Sequence, residues 1–328
     1  MVDILQNINF LDSYKYAYIT TRISGMRTRM ITPEKFKQML NSKNLDSLPQ
    51  FLENTDYKKI PYKSLEESNK FLDEYFIQLL NKISVLAPSA VIDCIFLLKK
   101  YIKFQDLKLI VKSIISKDKT YLDILSTLTK IEPNTTSLEI LDRKEFKEFK
   151  KNLLKQIEKK DLIQINYELE KQFFITIKKI IDKKKLVTVK NFMRKRIDVQ
   201  NIIMKIRSLW LGFDIDCYLD YGFIKPKVIK NKTSIDALIS SLSRTPYRAM
   251  FSKVMDEYNK TLDKNVLDKI MEEIFIEFSK EVKYSDRFSL NFVFWFILEK
   301  DREIRKLKAI LKIISDDLPR DYFEVFAW

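Results

Sequence analysis

Few side chains in this sequence could take part in catalysis, and their spacing does not match a catalytic motif. The 328-residue chain has no histidine, which excludes Ser-His-Asp and Cys-His nucleophile systems and any histidine metal ligand. Its glycines, Gly25, Gly212 and Gly222, lie too far apart to form the close-set loop that binds a phosphate. Cys94 and Cys217 cannot form a CxxC pair, and so few cysteines indicate a reducing compartment.

Carboxylates are the remaining groups that could act as general acids or bases. The chain has 45 Asp and Glu residues, but no spacing singles out a catalytic pair. We interpret most of them as solvated helix residues. We therefore predict a non-catalytic protein that has no cofactor and no metal ion.

The charge of the chain is strongly basic, with a net charge of +15 and a pI near 9.4. The segment 178–196 holds nine Lys and Arg residues and one acid, Asp182. Three interpretations are open: an ordinary solvated face, a surface for an acidic partner or anionic lipid headgroups, and a nucleic-acid-binding surface. The segment has no interleaved exposed aromatics and no RNA-binding motif, which argues against the last.

The elements that must position these side chains are predicted to be helices. Apolar residues recur at helical spacing. One such stripe comprises Leu72, Phe76, Leu79, Leu80 and Ile83. The sequence Thr32-Pro33-Glu34 has the chemistry of a helix start. The most apolar stretch, Phe288–Leu298, has 11 residues, fewer than the ~20 that span a bilayer. We predict an all-α protein that is soluble or peripheral to a membrane.

One helical segment occurs three times. Phe96–Ile114 and Phe296–Ile314 align without gaps at an offset of 200 residues (296 − 96), with eight identical positions. Asn191–Leu209 aligns with the first copy at an offset of 95 (191 − 96) and shares Gln200 with Gln105. A repeat of about 100 residues is longer than a solenoid repeat. The recurrence predicts three related helical lobes in one chain.

A second recurring element supports that prediction. Leu45–Tyr57 and Ile235–Tyr247 align at an offset of 190 (235 − 45). The shared residues include Thr55 with Thr245 and Tyr57 with Tyr247. We interpret the element as a helix end followed by a capping threonine, with the tyrosine packed beneath it, rather than as a ligand site. In the middle of the chain, Leu125–Leu128 has the helix without the signature. The predicted lobes comprise residues 1–117, 118–222 and 223–328.

Four motifs follow one another along the chain, namely Tyr16–Met30, Leu52–Tyr57, Arg196–Asn201 and Glu303–Lys308. Their order and spacing resemble the family of C subunits of V-type and A-type ATPases, whose eukaryotic members are called d subunits. Tyr16–Met30 is similar to the family's opening helix, with Arg22 at the first arginine of that pattern. The Leu52–Tyr57 element also recurs in the family. Arg196–Asn201, followed by Arg207, resembles the family's middle signature.

The fourth motif lies in the C-terminal copy. Glu303–Lys308, which contains Arg305, resembles the family's Glu-x-Arg-Asn-Leu-Arg pattern, with Lys306 in place of the usual Asn. In the first copy, Lys103 and Asp106 replace an Asp and an Asn. The resemblance extends from about residue 14 to about residue 315.

The resemblance implies three similar bundles arranged as a funnel around a pseudo-threefold axis. It implies a non-catalytic rotor subunit, an adaptor that couples the central stalk to the membrane rotor ring, so that ATP hydrolysis or synthesis is coupled to proton or sodium transport. The implied partners are the D-type and F-type stalk subunits and the proteolipid ring, at the cytoplasmic face of the membrane, with neither a small-molecule substrate nor nucleic acid. The alternative is a basic helical nucleic-acid-binding or scaffold protein.

Two roles are open for the recurring polar residues. Asp198 and Asn201 lie three positions apart and therefore share one helix face. Asn201 could bond a neighbouring backbone, and Asp198 could pair with an arginine such as Arg22, Arg194 or Arg207. We favour bracing between helices over direct partner contact, and we predict that Asp198→Ala or Asn201→Ala lowers the melting temperature.

Overall fold

In a computed structural model, helices account for the secondary structure of the residues that the structure describes. The structure describes residues 2–42, 44–62, 64–117, 162–212, 218–262, 264–267, 269–283, 287–320 and 323. Within these ranges there is no β-strand, so the all-α prediction is confirmed. The recurring-element prediction at Leu125–Leu128 lies outside the described residues.

The first half of the described chain contains five α-helices. They are α1 (Val2–Arg27), α2 (Pro33–Leu40), α3 (Pro49–Leu52), α4 (Leu65–Ser84) and α5 (Ser89–Ser116). The second half contains seven more. They are α6 (Leu162–Lys184), α7 (Val187–Leu211), α8 (Pro226–Lys230), α9 (Ile235–Ser241), α10 (Tyr247–Thr261), α11 (Lys269–Lys283) and α12 (Leu290–Ser315).

Local chemistry explains where several of these helices begin and end. The hydroxyl of Thr32 accepts a hydrogen bond from the N–H of Lys35, and Pro33 is the first residue of α2, as the sequence predicted. Ser64 and Ser234 cap α4 and α9 in the same way. At the end of α7, Gly212 adopts a left-handed conformation with φ of 71°, which glycine reaches at little cost.

The chain divides into two compact units. The terminal unit comprises Met1–Ile92 and Ala249–Trp328, and the central unit comprises Asp93–Arg248. The three-lobe arrangement remains a prediction. Among the described residues, no helix is both long enough and apolar enough to serve as a membrane span.

The core of the terminal unit forms around α12, which packs against α1, α2, α4 and α11. The predicted stripe on α4 is buried along its whole length. The apolar start of α12 is buried as well, with Phe292, Phe294 and Phe296 each no more than 4% exposed. Burying these large side chains is the main favourable term in the folding of the unit.

The core of the central unit lies where α7 packs against α6 and α8. The rings of Phe104 on α5 and Phe173 on α6 stack with their centroids 4.2 Å apart. On α7, Ile197, Val199, Ile202 and Ile206 are fully buried. Cys94 is buried on α5, and burial raises the pKa of its thiol, so it is an unreactive core residue.

Candidate functional site

The three copies of the recurring segment lie in three long helices, α5, α7 and α12, of 28, 25 and 26 residues. All three copies bury a carboxylate, Asp106 on α5 among them, and two of the copies do so at the same place in the segment. Asp198 on α7 is 0% exposed and Glu303 on α12 is 3% exposed. Both occupy the same place in the segment, because the acids are 105 residues apart (303 − 198) and so are the starts of their copies (296 − 191). The first copy has Lys103 at that place.

Asp198 accepts three hydrogen bonds inside the central unit. The N–H of Phe223 donates to Oδ2 at 3.0 Å, and the N–H of Ile224 donates to Oδ1 at 2.9 Å. The hydroxyl of Tyr247 donates to Oδ2 at 2.9 Å. A β-carbon at Gly222 would stand 1.9 Å from Oδ1, so the loop approaches the carboxylate more closely than any other residue would permit.

Glu303 has the same kinds of partners inside the terminal unit. The N–H of Ile31 donates to Oε1 at 2.5 Å, and the hydroxyl of Tyr57 donates to Oε2 at 2.7 Å. The ammonium of Lys300, one turn earlier on α12, donates to Oε2 at 2.8 Å. We call each carboxylate with its donors a carboxylate clamp.

The two clamps are built from equivalent pieces of sequence. Each tyrosine comes from the recurring Leu-x-x-Thr-x-Tyr element. Each isoleucine whose N–H donates lies two residues before a proline that begins a helix, Ile31 before Pro33 and Ile224 before Pro226. The offset of this Ile-x-Pro pair is 193 (224 − 31). The sequence analysis did not identify this pair, although its offset of 193 residues is close to the offset of 190 residues between the two copies of the second recurring element.

The clamp in the terminal unit contains a buried lysine. Lys300 is fully buried and pairs with Glu303 at 2.8 Å and with Asp56 at 3.2 Å. Its ammonium also lies 5.2 Å from the ring centroid of Tyr57 and 5.8 Å from that of Tyr75. A buried ammonium is costly unless such partners surround it, so these contacts fix the position of α12.

Asp56 extends the same network to the surface. The hydroxyl of Tyr75 on α4 donates to Asp56 Oδ2 at 2.8 Å, and Arg29 Nε lies 3.3 Å from Oδ1. The network thus joins two acids, Asp56 and Glu303, to two bases, Arg29 and Lys300. The charges balance, which is the condition under which ion pairs are tolerated in a core.

Burial shifts the pKa of one group in each clamp. Burial raises the pKa of Asp198 above its ordinary value of 3.8, while its hydrogen bonds from Ile224, Tyr247 and Phe223 lower it. Burial, followed by the charge of Glu303, raises the pKa of Tyr57 well above its usual range. The tyrosine hydroxyl therefore stays protonated and donates.

Asn201 braces the same helix against the loop that follows it. Its Nδ2 donates to the carbonyl of Leu219 at 2.9 Å, and the N–H of Leu219 donates to its Oδ1 at 2.9 Å. This is the backbone contact that the sequence suggested.

Asp198 is held by two backbone N–H groups and a tyrosine hydroxyl. Arg194, one of the suggested partners, lowers its pKa through its charge and donates to the carbonyl of Gly222 at 3.1 Å.

Replacement of Asn201 by alanine should lower the free energy of unfolding of the central unit by about 1–3 kcal/mol, because Leu219 then keeps a buried N–H and a buried C=O without partners. Urea denaturation followed by circular dichroism measures the change. Asn191→Ala, at an exposed position of α7, is the matched control and should change the stability by less than about 0.5 kcal/mol. Equal effects of the two substitutions would contradict the bracing role.

The two threonines of the recurring element close turns after the preceding helices. The hydroxyl of Thr55 donates to the carbonyl of Leu52 at 2.7 Å, and that of Thr245 donates to the carbonyl of Leu242 at 2.8 Å. Thr55 Oγ1 also accepts from the N–H of Tyr57 at 3.1 Å, as a capping hydroxyl would. Tyr57 and Tyr247 are buried beneath these turns. The sequence did not predict that their hydroxyls donate to Glu303 and Asp198.

The remaining candidates lie outside the clamps. Arg22, half-buried on α1, stands 5.4 Å from the ring centroid of Tyr18. Arg196 donates to the hydroxyl of Tyr101 and lies over its ring at 4.8 Å. Arg305 is exposed and pairs with Asp301 at 3.0 Å. Arg207 is exposed on α7. The structure brings none of these four into a common site within either unit.

The basic segment 178–196 spans the end of α6 and the start of α7. Its one aromatic residue, Phe192, is half-buried, and the fold places two further aromatic rings beside the segment. Lys178 and Lys190 lie 5.0 and 6.0 Å from the ring centroid of Tyr221, and Arg194 lies 3.9 Å from that of Phe223. These rings are therefore already covered by cations of the same chain.

The arrangement is suited to bracing rather than to reaction chemistry. Both clamp carboxylates are buried, and their hydrogen-bond partners come from the chain itself. The part of the chain that the structure describes contains no group of acids and cysteines that could hold a metal ion. Each clamp fastens a long helix to a loop and to a tyrosine distant in sequence.

Comparison with known proteins gives one consistent family. The model of the ATP synthase (C/AC39) subunit family matches residues 19–325. The C subunit of the A-type ATP synthase from Methanocaldococcus jannaschii is 22% identical over 92% of this chain and 83% of its own length. The C subunits from Desulfurococcus sp. and Thermococcus kodakarensis are each 24% identical, over 92% and 95% of this chain and 87% and 90% of their own lengths.

Proposed function

The chain belongs to the ATP synthase (C/AC39) subunit family, and from this premise we propose that it is the rotor adaptor that joins the central stalk to the membrane ring. Membership makes it a non-catalytic subunit of a rotary ATPase. That agrees with the absence of histidine from the sequence. Its proposed role within that complex is to transmit torque between the central stalk and the membrane ring, so that ATP hydrolysis or synthesis is coupled to ion transport.

The pair of equivalent clamps is the observation that supports this role best. A part that passes torque has to resist deformation, and packed helices at crystal-like density do so. In each unit, a buried carboxylate pins a long helix to a loop N–H and to a tyrosine hydroxyl. Breaking such a contact leaves buried polar groups unsatisfied, which is costly. The clamps therefore act against sliding of the long helices.

The proposed partners follow from the family and from the names of the relatives, which are parts of A-type ATP synthases. We propose that the D-type and F-type stalk subunits bind one surface of this protein and that the proteolipid ring binds another. The protein then lies at the cytoplasmic face of the membrane, held there through the ring. The three-lobed funnel, with lobes 1–117, 118–222 and 223–328, is part of the same proposal.

Among the recurring polar residues, the exposed ones are the proposed partner contacts. Arg207 and Arg305 are exposed on helices whose opposite faces are buried. Rim cations of this kind set the rate and the selectivity of association more than its strength. The buried members, Asp198, Asn201 and Glu303, act through the stiffness of the protein.

Affinity purification of the tagged full-length chain from detergent-solubilised membranes tests the role. Stalk and proteolipid subunits should co-purify with it. Arg207→Glu and Arg305→Glu should each reduce the recovered partners, whereas Lys253→Glu, which makes the same charge change at an exposed position of α10, should not. Recovery of nucleic acid in place of ATPase subunits would contradict the proposal and favour the basic nucleic-acid-binding alternative.

A further inference from the structure

A cleft in the terminal unit lies outside both clamps. It is bounded by the end of α1, by α11 and by the first half of α12, and its volume is about 440 Å³. Pockets that bind small molecules occupy roughly 300–1,000 Å³ and have mostly apolar walls with a few polar groups. The cleft is thus large enough for a small organic molecule.

The walls of the cleft are mainly apolar and aromatic. Phe292 and Trp295 contribute their rings from α12, and Ile276 and Val282 contribute aliphatic groups from α11. The indole N–H of Trp295 donates to the hydroxyl of Ser279 at 3.1 Å, which holds the ring in place. These walls suit an apolar body rather than a fully hydrated ion.

The polar groups of the cleft are predominantly cationic. Arg27, Lys280, Arg287 and Arg302 line it, together with the carboxylate of Glu299. The guanidinium of Arg27 lies 4.8 Å from the ring centroid of Trp295 and 5.7 Å from that of Phe292, so a positive charge is already held at the apolar wall. The lining favours an anion.

The two partly buried charges of the lining reinforce this preference. Burial, and secondarily the charge of Arg305, lowers the pKa of Arg302 to about 10. Burial also raises the pKa of Glu299. The two side chains approach only to 3.9 Å. A negative group beside Arg302 would stabilise a cation that desolvation disfavours.

We infer that this cleft binds a small organic anion, a molecule with an aromatic or aliphatic body and an acidic head. The body packs against Phe292 and Trp295, and the head meets Arg27, Arg287 and Arg302. The cleft shares no lining residue with either clamp, and binding of an anion there does not depend on the rotor role, so failure of one proposal would leave the other intact.

Titration of the full-length protein with 8-anilinonaphthalene-1-sulfonate, an aromatic anion whose fluorescence rises in apolar surroundings, tests the inference. Saturable binding is expected. The double variant Lys280→Glu/Arg287→Glu should raise Kd by at least about tenfold, because it reverses two charges of the lining. The control Lys253→Glu/Lys260→Glu makes the same charge change at exposed positions of α10 outside the cleft, and it should leave Kd within about twofold.

Trp295 supplies a second readout within the cleft. Binding of the probe should quench tryptophan emission in the wild type, and Trp295→Phe should remove most of that quenching while retaining binding. If the double variant fails to fold, Arg287→Gln, at an exposed position, should still weaken binding relative to Lys253→Gln.

Three results would overturn the inference. Equal weakening by the two double variants would mean that the probe responds only to overall charge. Unchanged quenching in Trp295→Phe would place the probe elsewhere. Displacement of the probe by an equal concentration of inorganic phosphate, which lacks an apolar body, would exclude the class of ligand that we infer.

Discussion

Replacement of Glu303 by alanine should lower the free energy of unfolding of the terminal unit by about 4 kcal/mol. The substitution leaves the fully buried Lys300 without its nearest carboxylate, which lies 2.8 Å from the ammonium. It also leaves the N–H of Ile31 and the hydroxyl of Tyr57 without their acceptor. Urea denaturation followed by the fluorescence of Trp295, which lies in this unit, measures the loss.

Two further variants separate this effect from a general effect of removing charge. Arg305→Ala breaks the exposed pair with Asp301 on the same helix and should change the stability by less than about 1 kcal/mol. Adding Lys300→Met to Glu303→Ala should recover part of the loss, because it removes the cation that the first substitution leaves poorly paired. A loss no greater than that of Arg305→Ala would contradict the clamp in the terminal unit.

Replacement of Gly222 by alanine should destabilise the central unit by about 3 kcal/mol. The new β-carbon would stand 1.9 Å from Oδ1 of Asp198, so either the loop or the carboxylate has to move. Either movement breaks the hydrogen bonds from Phe223 and Ile224. The change is measured by urea denaturation followed by circular dichroism.

The chain offers a matched glycine for comparison. Gly25 lies inside α1, and apart from the backbone of its own helix and its chain neighbours nothing lies within 4 Å of an added β-carbon, so Gly25→Ala should stabilise its helix by roughly 0.5–1 kcal/mol. In the background of Asp198→Ala, Gly222→Ala should cost much less than it does alone, since the clashing carboxylate is gone. Full additivity of the two substitutions would show that Gly222 acts through something other than Asp198.

Much of the helical framework could be predicted from the sequence, because it depends on local chemistry. The stripe from Leu72 to Ile83 is buried on one face of α4, as its spacing indicates. Thr32 and Pro33 begin α2 for reasons contained in those residues and the next few. The recurring segments fall within long helices, since their apolar positions recur at helical spacing.

The clamps could be predicted only in part. Both tyrosines belong to the recurring Leu-x-x-Thr-x-Tyr element, and Asp198 and Glu303 belong to motifs that resemble the family's, but nothing local connects Tyr57 with Glu303, which lies 246 residues further along the chain. Helical periodicity predicts the face of the helix on which a side chain lies, but it does not predict which distant residue that side chain contacts. The alignment of the copies places Asp198 and Glu303 at equivalent positions. It does not reveal which backbone N–H groups of the loops donate hydrogen bonds to these acids.

The burial of Lys300 was the least predictable feature. Lysine is almost never fully buried unless it is paired, and in a chain with 60 Lys and Arg residues a single lysine on a helix is expected to be solvated. Its burial depends on Asp56, Glu303 and the rings of Tyr57 and Tyr75 arriving from three separate parts of the chain. Such a convergence exists only in the folded unit.

Single-molecule observation of the assembled complex tests the rotor role most directly. With the catalytic part immobilised and a bead attached to an exposed engineered cysteine on this chain, addition of ATP should make the bead rotate in one direction, in step with the central stalk. A bead that stays fixed while the stalk turns would show that the protein belongs to the stationary part, and it would contradict the adaptor that we propose.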